Sequence, residues 1–188
     1  MTATKLMTVE DLWAMPEKPG KRFELVNGEL IEVPGAAYRH GLIAAVLYRL
    51  MFAFVMERNL GMAVPDGIAF ILQRDPAIVR VPDAAFISMA RIPDDNVAVG
   101  FFPVAPDIAV EVVSTYDLAK EVDAKVDQYL QFGTRLVWVV WPDAQAVSVH
   151  TPDRVARRLQ SHESLDGADI LPGFVVPVAS LFDVNPRR

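Results

Sequence analysis

The chain has 188 residues, 52% hydrophobic and 22% charged, which is enough for one well-buried core and too little for two typical domains, so residues 1–188 are expected to form a single domain. The absence of cysteine excludes a disulfide framework, a thiolate zinc site and a cysteine nucleophile, and makes a reducing cytoplasm the expected home. A net charge of −6, from 18 basic and 24 acidic residues, argues against a non-specific nucleic-acid coat but leaves room for a nucleic-acid enzyme, whose acidic metal site would add negative charge of its own.

In chain order, the segment Met1 to Lys5 has no apolar signal region behind it. No uncharged run approaches the roughly 20 residues that a membrane helix needs, so no membrane association is expected. Thr8-Val9-Glu10-Asp11 has the form of a helix start with Thr8 as cap, and Pro16 to Gly20 ends that short helix. Phe23 to Val26, Asn27-Gly28 and Glu29 to Val33 read as a β-hairpin, because Asn-Gly supplies the positive φ angles of a type I′ turn. A two-residue turn pairs Val26 with Glu29, Leu25 with Leu30 and Glu24 with Ile31, which puts Glu24 on one face with Val26, Ile31 and Val33.

From about Arg39 to Arg58, Ile43, Val46, Leu47, Leu50, Phe54 and Val55 recur at helical spacing, and Asn59-Leu60-Gly61 closes this long helix. Strands are expected at about 66–72 and 79–88 around a turn at Arg74-Asp75-Pro76, followed by a loop with Pro93, Asp94 and Asp95 and a strand at 107–113. Asp117 to Phe132 reads as helix. Leu136 to Trp141 is a fully buried strand by composition, with Ala146 to His150 its hairpin partner and further short strands before Leu171-Pro172-Gly173. The strand-helix-strand unit at 107–141 has a crossover long enough to make its strands parallel, giving an α/β (α+β) fold with a mixed central sheet flanked by helices.

Two carboxylates interrupt apolar strands in this layout, Asp83 in the run from Val79 to Ile87 and Glu111 in the run from Asp107 to Val113. Burying an ionised carboxylate costs several kcal/mol or more without a partner or a metal. By strand alternation Asp83 lies with Val79, Val81, Ala85 and Ile87, and Glu111 with Asp107, Ala109 and Val113. Asp107 and Glu111 are roughly 13 Å apart along one strand and cannot share a small ion, whereas adjacent strands only about 4.8 Å apart let Asp83 do so. Two strand-borne carboxylates plus water form the oxygen-rich, incompletely filled shell that Mg²⁺ favours when a phosphate completes it. On the helix that follows, Val122, Lys125, Tyr129 and Phe132 fall within about 40° of one line, so Lys125 sits amid an apolar stripe while Lys120 lies opposite, where a solvated lysine belongs.

Each of these residues also has a plain structural reading. A buried acid is more often a hydrogen-bonded structural residue than a ligand, and a lysine on an apolar stripe usually snorkels outward. Glu24 at a sheet edge needs no function. His40 near a helix start fits a capping or surface role, and with three histidines in the chain and none at zincin spacing a histidine-based zinc site has no support. The local basic cluster Arg154, Arg157 and Arg158 could meet a phosphate backbone.

Taken together, Pro82-Asp83, Glu111-Val112-Val113 and a following lysine resemble the PD-(D/E)XK nuclease superfamily, the restriction-endonuclease-like fold. More closely, the chain resembles the Uma-type family of small bacterial endonuclease-like proteins, a domain of unknown function. The matching segments are Arg22 to Leu30, His40 opening the long helix, Val81 to Phe86 and Pro106 to Ser114. Lys125, Tyr129 and Gly133 follow at fourfold spacing, then Leu136 to Val140 and Leu171 to Phe174. One departure is Val113, which stands where the superfamily pattern has its lysine; in such families a lysine on the following helix takes that place, and Lys125 matches it. Trp141 stands where relatives tend to have an acidic residue.

The resemblance implies a Mg²⁺- or Mn²⁺-dependent endonuclease acting on DNA. Asp83, Glu111 and the Val112 carbonyl would hold the metal, Glu24 would bind it through water or assist a second ion, and Lys125 would orient the attacking water. His40 and Tyr129 are accessory candidates, His40 through a phosphate or through Glu24. The alternative is a non-catalytic interaction or structural module, with a homodimer as one form of it; the acidic net charge and the lack of an aromatic-basic stripe support it.

Overall fold

The computed structural model describes residues 6–184 except 17, 34, 36, 94–99 and 116. The expected acidic loop at Asp94 and Asp95 therefore lies outside the described residues. Helix α1 (Val9–Trp13) opens with the anticipated capping box: the Thr8 hydroxyl accepts from the Asp11 N–H, and the Asp11 carboxylate accepts from the Thr8 N–H. Strands β1 (Arg22–Val26) and β2 (Glu29–Val33) pair in the register read from the sequence, Glu24 opposite Ile31 and Val26 opposite Glu29. Asn27 and Gly28 have φ of 52° and 79°, as a type I′ turn requires.

Helix α2 (Tyr38–Arg58) ends at Asn59, whose left-handed φ of 53° stops it. It buries Ile43, Ala44, Leu47, Met51 and Val55 against a sheet. The outer side also carries apolar groups, so this 21-residue helix has the length and mean hydropathy (1.5) to cross a bilayer, although charged residues interrupt it. Its buried face makes it a core helix here.

Beyond it come β3 (Gly61–Pro65), β4 (Phe70–Arg74), β5 (Ala77–Arg80), β6 (Ala84–Ser88), β7 (Ile108–Val112), α3 (Ala119–Gln131), β8 (Leu136–Trp141), β9 (Ala146–His150), β10 (Ala156–Leu159), β11 (Ser164–Gly167) and β12 (Leu171–Pro177). The central sheet has the order β10-β9-β8-β7-β6-β3, and it is mixed because β7 and β8 run parallel across the α3 crossover. A second, antiparallel sheet runs β2-β1-β5-β4, and β11 pairs with β12.

The single strand expected at 79–88 is thus two strands in two sheets. The backbone explains the break. The Val81 N–H turns to the Glu24 side chain at 2.9 Å, Pro82 has no N–H to give, and the Asp83 N–H rejoins the central sheet on the Val110 carbonyl at 2.9 Å. Alternation cannot be counted across such a break, so the argument that placed Asp83 by parity with Val79 and Val81 fails, although Asp83 is buried. Strand β3 departs from the expected layout, in which Gly61 only closes the long helix. Its φ is 146°, and a Cβ there would sit 2.1 Å from the Ile87 carbonyl oxygen, so only glycine lets this strand lie against β6.

The two faces of the central sheet carry separate cores. One contains α2 with Phe86, Ile108, Val110, Trp138 and Val140, and is closed by Phe174, which stacks on Trp138 at 5.8 Å. The other sets Val122, Val126 and Tyr129 of α3 against Ala85, Ala109, Val137 and Val139. Glu111 shares this second face by strand alternation with Ala109, directly below α3.

Candidate active site

The geometry converges at the end of β7. β6 and β7 pair antiparallel with Ala84 opposite Val110, which brings Asp83, just before β6, beside Glu111. Asp83 Oδ2 accepts the Val112 N–H at 2.7 Å and lies 3.1 Å from His40 Nε2. Both contacts end on the same oxygen, leaving Oδ1 without a hydrogen-bond partner among the described residues. His40, expected to meet a phosphate or Glu24, meets Asp83 from the first turn of α2. Its Nδ1 is buried and has no hydrogen-bond partner among the described residues.

Glu111 has both oxygens engaged from α3: Lys125 Nζ donates to Oε2 at 2.8 Å and the Tyr129 hydroxyl to Oε1 at 2.9 Å. The helical stripe that singled out Lys125 and Tyr129 therefore points at Glu111, while Lys120 is exposed. Burial pushes the Glu111 carboxyl up to about 7, aided by the charges of Asp83 and Glu24 and opposed by Lys125. Burial alone would lower the Lys125 ammonium, but Glu111 and Glu24 more than reverse this and hold it above its ordinary value. Burial also raises the Tyr129 phenol, with Glu111 and Glu24 adding to it, so the hydroxyl keeps its proton and donates. For His40, burial lowers and the Asp83 hydrogen bond and charge raise, with a net upward shift.

Glu24 is buried rather than left at a sheet edge, and its neighbours were only partly foreseen. Arg80 Nη1 donates to Glu24 Oε2 at 2.5 Å, the Val81 N–H takes Oε1, and Lys125 Nζ stands 4.0 Å from Oε1. The remaining Arg80 nitrogens, Nε and Nη2, donate to Gln128 Oε1 at 2.8 and 2.6 Å. The sequence reading missed Arg80 and Gln128. The available signal was Arg80 itself, a buried cation interrupting Ala77 to Val81 three residues before Asp83. Asp107, set aside on strand spacing, is spent elsewhere, accepting from the Ser88 N–H and from Arg91. Trp141 donates to Ser148 and lies under Arg158, so it is accounted for as structure.

The atoms that Asp83 and Glu111 offer to an ion are carboxylate oxygens, which suit a hard cation. Among the described residues no group of three or more His, Cys, Asp or Glu forms a cage, so an ion here would draw on the two carboxylates, backbone oxygen, water and substrate.

The fold has a solved counterpart in a protein titled "Crystal structure of a putative nuclease belonging to DUF820 from Anabaena variabilis ATCC 29413", to which the chain is similar with a TM-score of 0.83 at 20% identity, covering 95% of this chain and 98% of that one. No curated protein matches the sequence. Residues 9–179, which include Glu24, Asp83, Glu111 and Lys125, match the family model described as "Uma2: Putative restriction endonuclease", and the chain belongs to that family.

Proposed function

We propose that the protein is a Mg²⁺- or Mn²⁺-dependent endonuclease that hydrolyses phosphodiester bonds in DNA at Asp83 and Glu111. The observation that carries this reading is the pairing of an open Asp83 Oδ1 with a Glu111 whose protonation midpoint lies near neutrality, beside a lysine held charged. Asp83, Glu111 and the Val112 carbonyl would hold the ion, which when bound supplies Lewis acidity toward a phosphate oxygen and a bound water of lowered pKa.

The chain's own groups do the rest. Asp83 is kept in one orientation by the Val112 N–H and His40, and Tyr129 fixes the second oxygen of Glu111. Lys125 would orient the attacking water by hydrogen bonding and offset the negative charge that grows on the phosphorus-bound oxygens as one P–O bond forms and another breaks. Arg80 and the Val81 N–H hold Glu24 beside Lys125, where its charge keeps the lysine protonated.

Nicking of supercoiled plasmid in Mg²⁺ or Mn²⁺ tests the proposal: the wild-type chain is expected to cut and Asp83→Ala to lose at least about a hundredfold of the rate. Cutting that survives the substitution would overturn this site. The non-catalytic alternative draws on one observation, that both Glu111 oxygens are already hydrogen-bonded. It requires that neither ion raise the melting temperature.

A further inference from the structure

Over Glu111 and Lys125 lies a cavity of about 430 Å³, roofed by the β1–β2 hairpin and floored by α3 and the end of β7. Its size is at the lower end of small-ligand sites and suits a single nucleotide. Aliphatic groups make up part of its lining, Val26, Ile31 and Val33 from the hairpin with Val112, Val113 and Val122 from β7, the residue after it and α3. Of the apolar lining, Ile31 is left open to solvent at 41% exposure. Exposed aliphatic groups over a polar site form a surface that a nucleobase can cover.

The charges around this opening select against a duplex. Glu29, Glu32, Asp117 and Glu121 line it, and the cations that also line it are turned inward, Arg80 to Glu24 and Gln128 and Lys125 to Glu111. Among the described residues, Glu32 alone of these four has an ion-pair partner, the Lys21 ammonium at 2.8 Å. Duplex DNA carries a charge per about 1.7 Å of axis, so bringing an intact duplex to Glu111 would drag further phosphates past these carboxylates. An unpaired nucleotide drawn from one strand brings about half the phosphate density of a duplex past these carboxylates and offers its base to the aliphatic groups of the lining.

We infer that the reacting strand enters this cleft as an unpaired nucleotide, and that the substrate class is single-stranded or locally unpaired DNA rather than intact duplex. The inference rests on the nuclease reading for its chemistry, yet binding tests it separately from cleavage.

The probes are a short fluorescein-labelled oligodeoxythymidylate and the same strand annealed to its complement, titrated with the protein in Ca²⁺, which takes the same oxygen ligands, while probe integrity is followed on a denaturing gel. The single strand is expected to bind about ten-fold tighter than the duplex. Ile31→Ser, at an exposed position that tolerates the change, should weaken single-strand binding about five-fold and leave the duplex unchanged. Joint Glu29→Lys and Glu121→Lys replacement should raise duplex affinity about ten-fold. Duplex binding as tight as single-strand binding in the wild type would overturn the inference, as would an unchanged single-strand affinity for Ile31→Ser. If neither probe is cut in Mg²⁺ or Mn²⁺, the proposed nuclease activity fails, while the binding comparison still decides which strand form the cleft accepts.

Discussion

Replacing Glu111 by Gln removes the one carboxyl whose protonation should dominate the pH dependence of folding. In the folded chain burial raises Glu111 from 4.5 to about 7, with Asp83 and Glu24 adding to it. The unfolded chain loses this proton near 4.5 while the folded chain keeps it to about 7, so the folded state binds more protons in between and stability falls as pH rises through that window. A shift of that size corresponds to about 3 kcal/mol, absent below the lower value and complete above the upper. Gln cannot ionise and matches the shape. Metal-free urea unfolding by circular dichroism at pH 5 and pH 8 should therefore show wild type losing about 2–3 kcal/mol more than Glu111→Gln between the two conditions, since part of the full loss has already occurred by pH 5. Mg²⁺ at pH 8 should restore wild type by about 2.7 kcal/mol at a hundred times its dissociation constant and leave the variant unmoved. Equal pH dependence in the two proteins would refute the placement of Glu111 as a carboxyl titrating near neutrality.

Arg80→Met should cost about 3–5 kcal/mol in urea unfolding, because it leaves Glu24 buried with the Val81 N–H on one oxygen and no cation closer than the Lys125 ammonium at 4.0 Å among the described residues. The paired replacement Arg80→Met with Glu24→Met should recover most of that loss, and a double variant as unstable as the single one would show that the cost is not electrostatic. His40→Ala removes one of the two contacts on Asp83 Oδ2 and should weaken Mg²⁺ binding about ten-fold by isothermal titration calorimetry. Unchanged affinity would limit His40 to filling space.

What could be read from sequence followed the rules that act locally. The hairpin register was legible because Asn27-Gly28 admits one turn geometry, and the direction of Lys125 was legible because helical phase needs only the residues of α3. What escaped depended on partners distant in the chain. The Glu24 carboxylate draws the Val81 N–H out of a strand, and nothing within residues 79–88 signals that the acceptor lies 57 residues earlier. Asp83 was thus identified as buried through a parity argument that the break at Val81 and Pro82 invalidates; its burial follows from β6 pairing with β7 and from α2 covering it. Arg80 was overlooked because acids were sought as ligands, and the cation that makes Glu24 tolerable went unweighed. Gly61 passed as a helix stop since its second role, close approach to Ile87, exists only once β3 and β6 pair.

The three buried carboxylates of the site, Glu24, Asp83 and Glu111, are chemically unequal, and their oxygens show why. Glu24 has one oxygen on Arg80 and the other on the Val81 N–H, so direct ligation of an ion would strip a buried guanidinium of its counter-charge. Its place is that of a fixed anion beside Lys125. Glu111 has each oxygen on a single donor from α3 and retains lone pairs on both. Asp83 has both contacts on Oδ2 and leaves Oδ1 open. Three carboxylates against Arg80 and Lys125 leave one negative charge over when all are ionised and His40 is neutral. Buried charge of that kind is removed either by a proton or by a cation. The upward shift of Glu111 is the proton solution. A divalent ion between Asp83 and Glu111 would be the other, so proton and ion compete for the same deficit, and metal affinity in the proposed site should rise as pH increases through about 7.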